Sequence, residues 1–266
     1  MSALDLTAKS FSIGNARELV LYAKMAYDEP PTVEDKPTDT QVLIRDLGDC
    51  VVVAPRGTAN IRDFVTDIKC WRSYTTLGEV HSGFWRAWNG ISAKLYAEVR
   101  QYGFKPVVLC GHSLGGALAM LAARALRQNM VNVHSVYNFG APRVGNAKYQ
   151  RNYNTLPVPG SPFDTLGDAT FTIINDCDIV PRLPGYVSGF RRPGRDEFIS
   201  FTGGISEDPS VPFRLFSDLE SIAAAYLARR SPAALEELIT DHHVDNYIAD
   251  LNKVAPQAGE TPALPA

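Results

Sequence analysis

A strand that breaks on glycine and resumes as a helix is the feature that most narrows what this chain can become. Lys105–Cys110 is a short apolar run suited to a buried strand, and Leu114–Arg127 is rich in Ala and Leu and favours helix. Gly111-His112-Ser113-Leu114-Gly115 sits between them. The G-x-S-x-G pattern recurs by chance in long chains; its place between strand and helix gives it meaning. Glycines at 111 and 115 allow a sharp turn without Cβ clashes. Ser113 then projects its Oγ from the top of the turn, at a helix N-terminus that favours developing negative charge. The competing reading, a plain Ser N-cap on a Gly-rich turn, is the weaker one in this context.

The rest of the chain continues the alternation. Glu18–Tyr27 reads as an amphipathic helix ended by Pro30-Pro31. Gln41–Arg45 and Cys50–Ala54 are β-rich runs joined by Leu47-Gly48-Asp49, a hairpin signal. Phe84–Tyr102 reads as a helix closed by Gly103. Val133–Phe139, Thr170–Ile174 and Glu197–Phe201 read as further strands. This order predicts an α/β fold with a mostly parallel central sheet flanked by helices. No repeat or linker divides residues 1–255, which are expected to form one domain, whereas Pro256–Ala266 is rich in Pro, Ala and Gly and is expected to be disordered.

With 266 residues, 45% of them hydrophobic, the chain can bury a full core, which argues against intrinsic disorder. A formal charge of −3 gives no expectation of nucleic-acid binding. No apolar run reaches membrane-spanning length. Cys50, Cys70, Cys110 and Cys177 form no C-x-x-C pair, and the five histidines lack zinc-finger spacing, so no metal site is expected. The thiols are expected to be mostly buried and reduced, and nothing supports a Cys50–Cys70 bridge. The N-terminal segment lacks a secretory pattern. The expected location is therefore cytoplasmic, or extracellular if a signal has been removed.

A serine nucleophile needs a base, and the base needs an orienting carboxylate. With the serine on such an elbow, the chain order is Ser, then Asp or Glu, then His. His134 lies in a buried-type strand too close to Ser113, which leaves His242 and His243. His112, beside the serine, is read as a packed or hydrogen-bonded residue. Asn175-Asp176-Cys177-Asp178 follows an apolar strand, where such sheets present their chemistry, so Asp176 and Asp178 are the candidate carboxylates. Residue chemistry alone does not choose within either pair. The backbone N–H of Leu114 is placed to donate to an oxyanion.

Five segments together resemble the class 3 lipases, the fungal-lipase-like α/β-hydrolases. They are Val51–Thr58 (VVVAPRGT), His81–Phe84 (HSGF), Gly111–Gly116 (GHSLGG), Tyr137–Asn146 (YNFGAPRVGN) and Asn175–Pro181 (NDCDIVP). A sixth, His242–Tyr247, is similar to the closing H-x-x-x-N-Y motif of bacterial-type members. The resemblance implies that Asp178, directly before Ile-Val-Pro, is the acid and that His242 is the base. It implies Thr58 as the second oxyanion donor, with Asp67 supporting its side chain. Pro55 departs from the pattern, standing where the family usually carries an aromatic residue. Ile61, Phe64, Val65 and Ile68 fall on one face of a short helix, which reads either as an ordinary surface helix packed on the core or, by resemblance, as a lid over the site. Leu156–Asp168, with Phe163 inside, and Gly203–Glu237 are each read as a roof over an acyl pocket or as packing on the core.

The expected activity is hydrolysis of carboxylic esters through Ser113, His242 and Asp178, with acylglycerols as the implied substrates and transient contact with a lipid interface. The alternatives are a phospholipase A1, a short-chain or feruloyl carboxylesterase, and a silent binding protein on the same fold. No cofactor is expected.

Overall fold

Strands rich in β-branched and aromatic residues, with their polar members buried too, build the centre of the molecule. The computed structural model describes residues 4–61, 71–175, 178–200, 204–207 and 240–255. In chain order its main elements are α1 (Ile13–Asp28), β1 (Val33–Asp35), β2 (Thr40–Asp46), β3 (Val51–Pro55), β4 (Arg72–Thr75), β5 (Gly78–His81) and α2 (Ser82–Val99). There follow β6 (Val107–His112), α3 (Leu114–Gln128), β7 (Val133–Phe139), β8 (Gly145–Asn146), α4 (Ala147–Asn154) and β9 (Thr170–Asn175). The last are β10 (Phe190–Arg191), β11 (Arg195–Ile199), β12 (Ile205–Glu207) and α5 (Val244–Lys253).

Eight strands form one sheet in the order β1-β2-β3-β6-β7-β9-β11-β12. The pairs from β3 through β6, β7 and β9 to β11 are parallel, and the outer pairs are antiparallel. Every residue of β6, β7 and β9 is buried, as strands covered on both faces must be. Helices α2 and α3 pack together, and α1 packs with α5 across the sheet from them. Arg17 on α1 donates to the carbonyl of Leu251 at 3.1 Å, and Lys24 pairs with Asp245, so the first and last helices hold each other.

The expected mostly parallel sheet flanked by helices is therefore present. The hairpin forms as β2 and β3, and Val133–Phe139 is a strand over its expected length. Pro55 sits at the end of β3, opposite Val42. The ladder to β6 covers only Val51–Val53, so the missing N–H costs no bond there.

Some boundaries differ from expectation. Helix α1 begins at Ile13 rather than Glu18, because the Ser12 hydroxyl accepts from the Asn15 N–H at 3.1 Å and caps it. The long helix ends at Val99 and continues as a single 3₁₀ turn before Gly103. β12 adds a short antiparallel edge inside the segment read as an excursion from Gly203. A second sheet, β10-β8-β5-β4, was not expected. Phe163 is buried against Phe171 and His134, so this part of Leu156–Asp168 packs on the core rather than roofing a pocket. Cys50 and Cys110 are buried, and burial pushes the Cys110 thiol pKa up. Cys70 and Cys177 lie outside the described residues. No helix among those residues is long and apolar enough to cross a membrane.

Leu19 on α1 is fully buried. Leu19→Ala is expected to lower the free energy of unfolding by about 2–5 kcal/mol in urea titrations. A loss below about 1 kcal/mol would show that α1 is not packed on the sheet as described.

Candidate active site

The β6–α3 junction puts Ser113 in a conformation a serine rarely adopts, with φ 57° and ψ −129°. Backbone bonds hold it there. The Ser113 N–H donates to the Phe139 carbonyl at 2.9 Å, and the Ser113 carbonyl accepts from the Gly116 N–H at 3.0 Å. The turn runs so close to the end of β3 that a Cβ on Gly115 would collide with the Pro55 carbonyl. This contact draws the 56–58 loop against the start of α3. The N–H of Leu114, at the first position of α3, has no carbonyl one turn back to bond within the helix.

Asp178 follows β9 and has no exposure to water. Its Oδ1 accepts from the Val180 N–H at 2.8 Å. Its Oδ2 accepts from the Tyr247 hydroxyl at 2.6 Å and pairs with His242 Nδ1 at 2.6 Å. Burial first, and then the Asp178 charge, push the Tyr247 pKa well above its ordinary value, so Tyr247 stays a donor. The same hydroxyl accepts from the Asn175 N–H at 3.2 Å. Gly140, at φ +62°, backs this cluster; a Cβ there would stand 2.8 Å from Asp178 Oδ2 and 2.9 Å from His242 Cε1.

Two buried arginines fix the loops behind the carboxylate. Arg143, in the loop after β7, donates to the Arg182 carbonyl at 2.6 Å and the Pro184 carbonyl at 3.0 Å. Arg192 donates to the carbonyls of Ala141 at 2.8 Å and Pro181 at 2.6 Å. Its remaining nitrogens grip both oxygens of Asp196 at 2.8 Å, a bidentate pair.

The residues singled out in the sequence are brought together to different extents. Ser113 and His242 are both buried, and among the described residues neither Ser113 Oγ nor His242 Nε2 has a hydrogen-bond partner. Thr58, Ile61 and His242 line one pocket of about 260 Å³, together with Tyr27, Ala59, His112, His243 and Val244. His243 is exposed, which separates it from its buried neighbour. His134 lies in β7, bonded to Ser135 Oγ and to the Leu6 carbonyl, both at 3.0 Å. Asp67, Phe64, Val65, Ile68 and Asp176 lie outside the described residues.

Two site groups were missed. In the sequence Tyr247 stands only as part of the closing motif, and Tyr27 only as the end of a helix. Tyr27 Oη lies 2.8 Å from His112 Nδ1, which a sequence offers no local signal to find.

The class 3 lipase sequence model matches residues 52–188, just over half of the chain. The chain therefore belongs to the class 3 lipase family. Secreted mono- and diacylglycerol lipase 1 of Fusarium solani is 34% identical over 169 residues, covering 60% of this chain and 47% of that protein. A lipase of Rhizomucor miehei is 30% identical over 195 residues, covering 69% of this chain and 50% of that protein. The chain thus spans about half the length of these relatives. Lipase II from Rhizopus niveus superposes with a TM-score of 0.64 at 24% identity, over 78% of this chain and 92% of that one. The fold is accordingly the α/β-hydrolase fold. The Fusarium protein is named as secreted, which gives no support to the cytoplasmic expectation.

Tyr247→Phe removes a donor to Asp178 and strands the buried Asn175 N–H. It is expected to cost about 1–3 kcal/mol of stability. Chemical unfolding beside wild type measures this, and an unchanged midpoint would contradict the described bonding.

Proposed function

We propose that this chain is a serine ester hydrolase that acts on acylglycerols, with Ser113 as nucleophile, His242 as base and Asp178 as the orienting acid. The observation that carries the reading is the 2.6 Å pairing of His242 Nδ1 with the fully buried Asp178. That bond commits Nδ1 as the protonated nitrogen and leaves Nε2 as a base for the serine hydroxyl.

In the proposed reaction Ser113 Oγ attacks the ester carbonyl while His242 Nε2 takes its proton. The tetrahedral oxyanion is met by the Leu114 N–H and by Thr58, with the start of α3 adding its dipole. His242 returns the proton to the leaving alcohol, and Asp178 stabilises the imidazolium in between. A water, deprotonated by His242, then releases the acid and restores Ser113. Support for Thr58 comes from its place with His242 in one pocket and from the close contact of its loop with α3. Asp67 as support for Thr58, and a lid built on Ile61, Phe64, Val65 and Ile68, remain part of the proposal through family membership. The acylglycerol substrate and a secreted location are supported by the names of the relatives, one of which is a mono- and diacylglycerol lipase. Residues 1–255 are proposed to act as one domain.

The test is hydrolysis of p-nitrophenyl esters over a series of acyl lengths, below and above the substrate's aggregation point. Ser113→Ala and Asp178→Asn are each expected to lower kcat by about 10⁴-fold with folding retained. Retention of activity in Ser113→Ala would overturn the nucleophile and favour a binding protein. A rate rise at aggregation supports a lipase, whereas saturation on short soluble esters would replace it with a carboxylesterase.

A further inference from the structure

A line of contacts runs from the oxyanion loop through two hydrogen bonds to the backbone of His242, without touching Ser113 Oγ or Asp178. The Gly57 backbone lies directly against the Tyr27 hydroxyl, so close that a Cβ on Gly57 would stand 2.0 Å from it. Tyr27 Oη lies 2.8 Å from His112 Nδ1, and His112 Nε2 lies 2.6 Å from the His242 carbonyl. A carbonyl only accepts, so His112 Nε2 carries the hydrogen. Burial first, and then the charge of His242, keep the His112 ring neutral, so Nδ1 is an acceptor and the Tyr27 O–H must donate to it. The direction of both hydrogen bonds is therefore fixed. Gly57 is needed at its end, because a Cβ there would collide with the Tyr27 hydroxyl. The His112 and His242 rings also lie against each other, with centroids 4.6 Å apart and planes 33° apart.

We infer that Tyr27 and His112 are positioning residues: together they set the placement of the His242 imidazole relative to the oxyanion loop at Gly57 and Thr58. The inference rests on the proposed reading of His242 as the base. Tyr27 and His112 exchange no proton in the reaction. Their contacts hold the two ends of the site at one separation, so that the base serves Ser113 while the oxyanion donors meet the oxygen of the carbonyl it attacks. Tyr27 comes from α1 and His112 from the last position of β6, whereas His242 lies two positions before α5. Outside the line, the hydrogen bond that ties His242 among the described residues is that of its own Nδ1 to Asp178.

The experiment uses the full chain with p-nitrophenyl butyrate, at a temperature where every variant is folded. Tyr27→Phe deletes one oxygen and keeps the ring. It is expected to lower kcat by about ten- to a hundredfold, with KM within twofold of wild type. His112→Gln offers an acceptor and a donor in one amide and is expected to retain more of kcat than His112→Leu, which offers neither. The far-downfield proton resonance of His242 Nδ1–H gives a readout independent of turnover. It is expected to exchange faster with solvent in Tyr27→Phe. If Tyr27→Phe keeps kcat within twofold and the resonance is unchanged, the inference is overturned, whatever happens to stability. Equal kcat in His112→Gln and His112→Leu would overturn the part of His112; if His112→Leu does not fold, Tyr27→Phe decides alone. If wild type hydrolyses no ester but the resonance still responds to Tyr27→Phe, the positioning stands and the proposed reaction falls.

Discussion

Asp178 carries a carboxylate to a place that water does not reach, and the far end of the chain is arranged to make that tolerable. An unpaired buried charge would shift to its neutral form or disrupt the fold. Three donors meet the carboxylate: the Val180 N–H, the Tyr247 hydroxyl and His242 Nδ1. Only the first is local. The other two come from the start of α5 and the residues just before it, more than sixty positions later. Satisfying one carboxylate thus requires α5 to close over the ends of β7 and β9. Once there, α5 packs on α1. The burial of a single charge couples the last described helix to the first, and with it the two sides of the pocket.

The same economy governs the loops behind the site. Loops have no ladder to satisfy their carbonyls, and buried carbonyls need donors. Arg143 and Arg192 supply them, joining the loop after β7 to the loop after β9. Arg192 is itself neutralised by Asp196, which avoids a second buried unpaired charge. The small sheet β10-β8-β5-β4 adds backbone bonds to the same region, with Val144 N–H donating to the Arg191 carbonyl at 3.0 Å. The loops around Asp178 are therefore braced by guanidinium groups, while its carboxylate is met by a backbone N–H, a phenol and an imidazole.

What could be read in advance follows from how local each determinant is. The elbow at Ser113 is written in consecutive residues, a buried strand, two glycines and an Ala-rich helix, and it was legible. Val133–Phe139 was legible for the same reason: seven buried residues in a row have no other reading between two turns. The start of α1 was obscured because Gly14 and Asn15 interrupt the apolar pattern in its first turn, although the capping Ser12 was present as a signal. The choice of Asp178 over Asp176 has no periodicity to support it in an irregular loop, and it came from family resemblance. The strands of the small sheet run from two to four residues and carry no apolar run that marks them. Tyr27 was illegible because its partner stands 85 positions away, and a tyrosine at the end of a helix reads as a boundary.

Strain at Ser113 has a physical explanation in this distribution. A serine at φ 57° costs on the order of 1–3 kcal/mol, which nothing in its own side chain offsets. Relaxing it would rotate the junction of β6 and α3. All six residues of β6 and eleven of the fifteen in α3 are buried, so any rotation there disturbs close packing on every side. The residue before it, His112, is bonded on both ring nitrogens, and Ser113 itself is held by the Phe139 carbonyl. The strained residue therefore sits where the surrounding structure is least able to yield. That is why Oγ can be kept clear of the backbone bonds of the turn, and why the groups that must not move are backbone atoms of the sheet rather than flexible side chains.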